Sequence, residues 1–216
     1  MEDIIIYGSG GMASEVVQII EDSNLVRPAW NILGYIDDFK GDSGEIINGY
    51  KIIGSAENLK SLNNPTSIII AMSDPKAKKR VYNNIKEYNL TFPTLIHPTA
   101  RVAHNAKIGE GCVIGMDSIV SVKVNIANFV FVNMRSIVGH DSEIHDFSSC
   151  LLNSVICGNV TINEGALVGS NSVIMQKKVI GKWAKISMGS VVSFDVKGGH
   201  VVLSRPSKSM YFGNEV

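Results

Sequence analysis

The chain has 216 residues, and its twenty Lys and Arg balance twenty Asp and Glu. A neutral average charge supplies no field to draw in nucleic acid or an anionic membrane, and 45% hydrophobic against 19% charged residues is too apolar for a disordered chain. No apolar run approaches the ~20 residues that span a bilayer, the acidic opening Met1-Glu2-Asp3 is unlike a signal peptide, and three cysteines without a CxxC pair fit a reducing compartment, so a cytoplasmic protein is expected.

Residues 1–95 read as α/β. Ile4-Ile5-Ile6-Tyr7 predicts a strand and Gly8-Ser9-Gly10-Gly11 a turn. From Met12 the spacing of Val16, Val17, Ile19 and Ile20 predicts a helix. Ile32 to Ile36 predicts a second strand ending in Asp37-Asp38, and Ser67 to Met72 a third ending at Ser73-Asp74. Lys76 to Tyr88, with Val81 and Ile85, reads as a surface helix whose basic run Lys76 to Arg80 is a solvated face or an anion contact. Strand–helix alternation implies a parallel sheet with a ligand crevice at its C-terminal strand ends. Gly8, Gly10 and Ala13 follow a strand and open a helix, the setting in which such spacing rests phosphates on backbone N–H groups. The acidic residue expected about 20 positions later for NAD is instead Asp37, 29 after Gly8.

After Ile96-His97-Pro98 the period changes to six. Val102, Ile108, Ile114, Val120, Ile126, Val132, Val138, Ile144, Cys150, Ile156, Ile162, Val168, Ile174, Ile180, Ile186 and Val192 are sixteen consecutive positions in one register. At the chain's own apolar frequency such a run has a probability of about 10⁻⁶ to 10⁻⁵. Two residues earlier the side chains are mostly Ala, Ser or Cys, with Lys178 the clearest exception. A period of six suits a solenoid of short strands, each turning one branched residue inward, with 18 residues to a three-strand coil. Cys150 falls on the inward lattice. Phe129 and Trp183 fall outward, as subunit contacts or surface cover.

This repeat resembles the hexapeptide-repeat acyltransferases. Tyr7-Gly8-Ser9-Gly10-Gly11, Tyr35-Ile36-Asp37-Asp38, Ile69 to Asp74 and Ile96-His97-Pro98-Thr99-Ala100 narrow the resemblance to the sugar O-acyltransferase group. That group includes bacterial nucleotide-sugar N-acetyltransferases and sialic acid O-acetyltransferases. The resemblance implies an α/β N-terminal Rossmann-like domain over residues 1–95, then a left-handed parallel β-helix of hexapeptide repeats with a C-terminal tail over 96–216. It implies a homotrimer with inter-subunit active sites and acetyl-CoA as co-substrate, without metal, nucleic acid or membrane.

The string Asn133-Met134-Arg135-Ser136-Ile137-Val138-Gly139-His140-Asp141 matches the family's catalytic stretch. By resemblance His140 removes a proton from the acceptor, Asp141 orients the imidazole, and Asn133 lies near the acceptor. His140 stands two residues past inward Val138 and should face outward; its pairing with Asp141 requires a bend. Ser149 occupies the place of a second family histidine, so that its hydroxyl contacts acetyl-CoA or the contact is absent, and His145 is assigned a structural role. By the same resemblance Gly158, in Cys157-Gly158-Asn159-Val160, is the candidate for a backbone N–H near the thioester. Ser170 and Met188 take further backbone-contact positions, Met188 in place of a glycine. Lys208, in Pro206-Ser207-Lys208, holds a CoA phosphate or is an unpaired surface lysine, and Ser204 replaces a family glycine. In the first half the resemblance places Ser9, Gly10 and Gly11 near the phosphates of a nucleotide-sugar, Asp37 or Asp38 on the base, and Ser73 with them; Met12 replaces a histidine of some members.

The expected reaction is acetyl transfer to the amino group of a nucleotide-linked 4-amino-4,6-dideoxy sugar for glycan or surface polysaccharide synthesis. O-acetylation of sialic acid or another sugar is the alternative. A remoter reading takes His104, His140 and His145 as metal ligands spaced as in γ-class carbonic anhydrase. Within one chain His104 and His140 would lie two coils, roughly 9.6 Å, apart, so different chains would have to supply them. A non-catalytic nucleotide-sugar sensor is the third reading.

Overall fold

The computed structural model describes residues 1–41, 43–61 and 65–205. In the first half, β1 (Glu2–Tyr7), β2 (Trp30–Ile36), β3 (Ile46–Ile47), β4 (Tyr50–Gly54), β5 (Thr66–Ile70) and β6 (Leu90–Thr91) form one sheet in the order β3-β4-β2-β1-β5-β6. Its neighbours pair parallel except β3 with β4. Helix α1 (Gly11–Val26) covers one face and α2 (Pro75–Ile85) the other. Burial on both sides explains why β1 reads as an unbroken apolar run. Ile4 and Ile6 pack with Ala13, Val16 and Ile20 of α1, while Ile5 and Tyr7 pack with Val81 and Ile85 of α2.

The third strand is shorter than expected: β5 ends at Ile70, and residues 71–74 turn away to form a loop. The β3–β4 hairpin was not anticipated. Its Asn48-Gly49 turn has φ of 48° and 83°, a primed turn for which Asn-Gly is the favoured pair.

The second half is a left-handed parallel β-helix of two-residue strands. Strand partners lie 18 residues apart, as in Val113 with Phe131 and Ile114 with Val132. Three faces result. Face I carries the strands at 95–96, 113–114, 131–132, 149–150, 167–168, 185–186 and 201–202; face II those at 101–102, 119–120, 137–138, 155–156, 173–174 and 191–192; face III those at 107–108, 125–126, 143–144, 161–162 and 179–180. The inward residues from Ile114 to Val192 are fully buried, Cys150 among them, and Val102 and Ile108 are half-buried at the open end.

Corners between faces follow the same arithmetic. From Gly111 to Gly189 every sixth residue has a left-handed φ between 54° and 69°. The small residues before each inward position close the turns: Ser118, Ser136, Ser148 and Ser172 each donate a hydroxyl to the carbonyl 15 residues on, at 2.9 Å. These buried hydroxyls are therefore satisfied rather than costly.

One corner column, Gly111, Phe129, Phe147, Gly165 and Trp183, meets α2. Phe129 is 3% exposed and stacks on Phe147 at 5.2 Å, with Tyr82 of α2 4.4 Å away. The outward expectation for Phe129 is thus corrected: the chain's own helix covers it. Half-buried Trp183 lies under the Lys79 ammonium at 5.2 Å. Glycine is required beneath Trp183, because a Cβ on Gly165, at φ +66°, would sit 2.2 Å from the indole. Gly165→Ala is therefore expected to destabilise the protein by about 1–3 kcal/mol, measured by urea unfolding; a change within about 0.5 kcal/mol would contradict this packing.

Candidate functional site

Two features that can do chemistry lie on different parts of the molecule. The first is a cleft of about 240 Å³ at the C-terminal edge of the sheet, lined by Tyr7, Gly8, Asp37, Asp38, Phe39, Met72, Arg80 and Asn84, among others. Gly8 has φ +105°, and a Cβ there would lie 3.3 Å from the Ala71 carbonyl oxygen, so glycine lets β1 and β5 close together beneath the cleft. The Ser9 hydroxyl donates to Asp37 Oδ2 at 2.5 Å, and the Phe39 and Lys40 N–H groups donate to Oδ1 at 3.0 and 3.3 Å. Burial alone would raise the Asp37 carboxyl; these hydrogen bonds outweigh it and hold the group below the usual range. Asp38 accepts from the Tyr7 hydroxyl at 2.5 Å and from the Ala56 N–H at 2.9 Å. Burial, and then this bond, push the Tyr7 phenol well above its ordinary value.

The structure therefore brings Ser9, Asp37 and Asp38 together. Gly10 and Gly11 are exposed at the start of α1, where Gly10 caps the helix without a side chain. Ser73 is half-buried beside Asp74, whose carboxylate caps α2 by accepting from the Ala77 N–H at 2.8 Å; Ser73 does not line the cleft.

The second feature is the corner between faces II and III. Asp141 has φ 55°, the bend that a histidine–aspartate pair of neighbours requires, and His140 Nδ1 lies 2.8 Å from Asp141 Oδ2. Both side chains are exposed. One coil on, Gly158 lies against the ring: a Cβ there would sit 2.6 Å from His140 Nε2. Any other residue at 158 would displace the imidazole. The Gly158 N–H has no hydrogen-bond partner among the described residues.

Several expected residues lie elsewhere. Ser149 is on face I, 0% exposed, and its hydroxyl accepts from the Lys78 ammonium at 3.2 Å. Of the two expectations for Ser149, contact with acetyl-CoA or none, its burial under α2 favours none. Asn133 is 6% exposed at the corner between faces I and II, beside α1, and its Oδ1 accepts from the Met134 N–H at 2.6 Å. One chain does not bring Asn133 to His140. Ser170 and Met188 stack one coil apart at that same corner, linked by the Gly189 N–H to the Ser170 carbonyl at 2.8 Å, and Met188 is 70% exposed. Lys208, with Pro206 and Ser207, lies outside the described residues. Among the described residues of one chain, no three His, Cys, Asp or Glu side chains gather as metal ligands; His145 Nε2 faces Glu143 at 3.6 Å.

Three further residues, none of them among the expected site residues, matter to the docking and the cleft. His97 is buried and joins the halves, with Nε2 2.9 Å from Asp22 of α1 and Nδ1 2.9 Å from Thr99. Arg80 enters the cleft from α2. Lys78, from the run read as a solvated face or an anion contact, is 2% exposed and reaches the Ser148 carbonyl as well as Ser149. Helical spacing was the available signal for Lys78, because it lies three residues before inward Val81. Burial pulls its ammonium down to about 7, against smaller upward effects of Cys112, Cys150 and Asp74. The same burial pushes the Cys112 thiol up to about 11 and the Cys150 thiol to about 12.

Residues 3–85 match the family model of the PglD N-terminal domain. GDP-perosamine N-acetyltransferase of Escherichia coli O157:H7 is 28% identical over 143 residues, 66% of this chain and 64% of that protein; the match thus spans under two thirds of the relative's length. Among solved structures, a point variant of perosamine N-acetyltransferase from Caulobacter crescentus, in complex with CoA and GDP-perosamine, superposes with TM-score 0.87 at 19% identity over 96% of both chains. The acetyltransferase domain of PglB from Neisseria gonorrhoeae, in complex with acetyl coenzyme A, gives 0.85 at 24% identity over 97% of this chain and 99% of that one. The fold and the family resemblance read from the repeat and the glycine-rich turn are thereby borne out.

Buried Lys78 leads to a pH-dependent stability. Below about 7 the folded and unfolded chains both carry its proton, and the folded chain buries a charge. Between about 7 and its ordinary 10.5 the folded chain has released a proton that the unfolded chain keeps, so stability rises with pH. The two thiols act oppositely above their ordinary value of 9, which sets the usable window at pH 7–9. Lys78→Met is expected to raise the urea midpoint at pH 6.5 and flatten its rise toward pH 9, by the order of 1–3 kcal/mol. An unchanged slope would show that Lys78 stays charged throughout.

Proposed function

We propose that this chain, which carries the fold of the hexapeptide-repeat sugar acetyltransferases and a PglD-type N-terminal domain, transfers acetyl from acetyl-CoA to the amino group of a nucleotide-linked amino sugar. A 4-amino-4,6-dideoxy sugar destined for surface glycan is the acceptor favoured here. Names of the similar proteins support the class of donor and acceptor. The observation that carries the reading is the exposed His140–Asp141 pair with Nε2 held against Gly158.

With Nδ1–H donated to Asp141, Nε2 is the free base. His140 takes a proton from the acceptor amine as its nitrogen attacks the thioester carbonyl carbon. Gly158 offers an unpaired N–H to the oxyanion that develops there. Collapse breaks the carbon–sulfur bond, and His140 returns the proton to the departing thiolate, giving the N-acetyl sugar and free CoA. Glycine at 158 suits this role twice, since it leaves room for the imidazole and lets a thioester approach the backbone.

The site is completed between subunits. The N-terminal half rests on face I, whereas His140 projects from the corner between faces II and III, across the prism. A nucleotide-sugar in the Asp37–Asp38 cleft would therefore meet His140 of another copy. Face II supplies a surface to hold that copy: Ile119 is 39% and Val191 69% exposed, with Ile137, Val155 and Val173 stacked between them. Such a ladder is larger than scattered surface apolars and fits a homotrimer.

Thiol release from acetyl-CoA, measured against UDP-, dTDP- and GDP-linked amino sugars and CMP-linked and free sialic acid, tests the reaction. One amino sugar should react, and His140→Ala should lower kcat/KM by about 10²–10⁴-fold. Retention of more than about a tenth of wild-type kcat/KM would remove His140 as base. Ile137→Lys is expected to convert a trimer to smaller species in sedimentation and to abolish turnover; a wild-type monomer at micromolar concentration would contradict the shared site.

A further inference from the structure

The N-terminal cleft presents an electrostatic problem to the ligand proposed for it. Asp37 and Asp38 place two carboxylates on one wall, and the hydrogen bonds to Asp37 favour its ionised form. A nucleotide brings two or three further negative charges, so a cation must offset them if it is to bind. Lys40, next to Asp37, is already paired with Glu45 at 2.9 Å. The opposite wall is α2. There Arg80 lines the cleft and also the adjoining, wider groove of about 640 Å³ that contains Lys76 and Trp183. Lys79, its neighbour, is committed to Glu164. Arg80 has no ion-pair or hydrogen-bond partner among the described residues, and neither does Lys76, one turn earlier on the same face. Asn84, one turn after Arg80, lines both spaces and also the groove that runs from Asp38 to Tyr88. Asn84 is thus shared by all three openings, and the cleft itself sets the unpaired Arg80 among the same lining as Asp37 and Asp38.

We infer that Arg80 is the phosphate-positioning residue of the nucleotide site, its guanidinium taking the diphosphate oxygens while the base and ribose lie toward Asp38. This deepens the proposed function and rests on its nucleotide-sugar reading. A planar guanidinium donates two parallel N–H groups to adjacent phosphate oxygens, which a neutral side chain cannot replace. The charges lining the cleft then set the ligand's direction: the neutral base and ribose meet Asp37 and Asp38 through their hydrogen-bond donors, and the charged diphosphate turns toward Arg80.

Calorimetric binding of UDP, dTDP, GDP and CMP, each compared with its nucleoside, tests the assignment without turnover. The wild type should bind one nucleotide clearly more tightly than its nucleoside. Arg80→Gln should weaken that nucleotide by about tenfold or more while moving the nucleoside less than about twofold, and should flatten the salt dependence. Arg80→Lys, which keeps the charge, should recover part of the loss. Lys86→Gln, at the far end of α2, serves as a control for general charge and should leave affinity unchanged. Equal loss for nucleotide and nucleoside would overturn the assignment in favour of a base contact or a structural role, and an unchanged affinity would overturn it outright. Wild-type protein that binds none of the four would instead overturn the nucleotide-sugar reading itself, and the inference with it.

Discussion

Everything in this molecule hangs on an 18-residue coil closed by three left-handed corners. One branched residue points inward from each two-residue strand, and each buried position repeats the chemistry of the one above it. Dry packing of Val and Ile in such a column is the main source of its stability. The corners are its consequence, since the chain must turn within the few residues that separate inward positions. Only three of the corner positions from 111 to 189 are glycine. Asn and Asp tolerate the left-handed region by local hydrogen bonding. Phe129, Phe147 and Trp183 are held there by α2.

That same regularity places chemistry. A corner residue such as His140 projects where neither an inward nor a strand-face residue can, and Gly158, one coil on, meets it because the repeat is 18 residues. Face I is covered by the N-terminal sheet and its helices through Leu95, Val113 and Phe131, with Lys78 over Ser149. Coverage of one face fixes what remains available. The His140 corner and the apolar ladder of face II lie on other sides of the prism from face I, on which the half carrying the Asp37–Asp38 cleft rests. The proposed reaction accordingly asks for a neighbour, each chain in that proposal supplying one half of each site.

Much of this was legible from residue order. A fixed period of six over sixteen positions is not what an ordinary β-sandwich, with turns about every 8–12 residues and no fixed register, would give, so coils, inward lattice and corner spacing follow from it. Strands β1 and β2 and helix α1 declare themselves by apolar runs and helical spacing. Positions that depend on which face the N-terminal half covers were not legible. Ser149 and Phe129 look outward by register, and only the docking of α2 buries them. Lys78 sits in a run of like charges that ordinarily faces water, but helical phase carries it under the helix while Lys76 and Arg80 stay outside. Asn133 and His140 are close in sequence yet occupy different corners, because seven residues exceed one side of the prism. The β3–β4 hairpin was signalled by Asn48-Gly49 but its strands are too short to show alternation.

The central claim is that the cleft of one subunit works with His140 of the next. Co-expression of His140→Ala and Asp37→Ala chains tests it most directly, at an acceptor concentration so low that each variant alone is nearly inactive. Mixed trimers should then recover about a quarter of wild-type turnover, the statistical share of sites that draw an intact cleft and an intact histidine from different chains. Turnover that stays at the mean of the two parent variants would place both halves of the site in one chain and contradict the account.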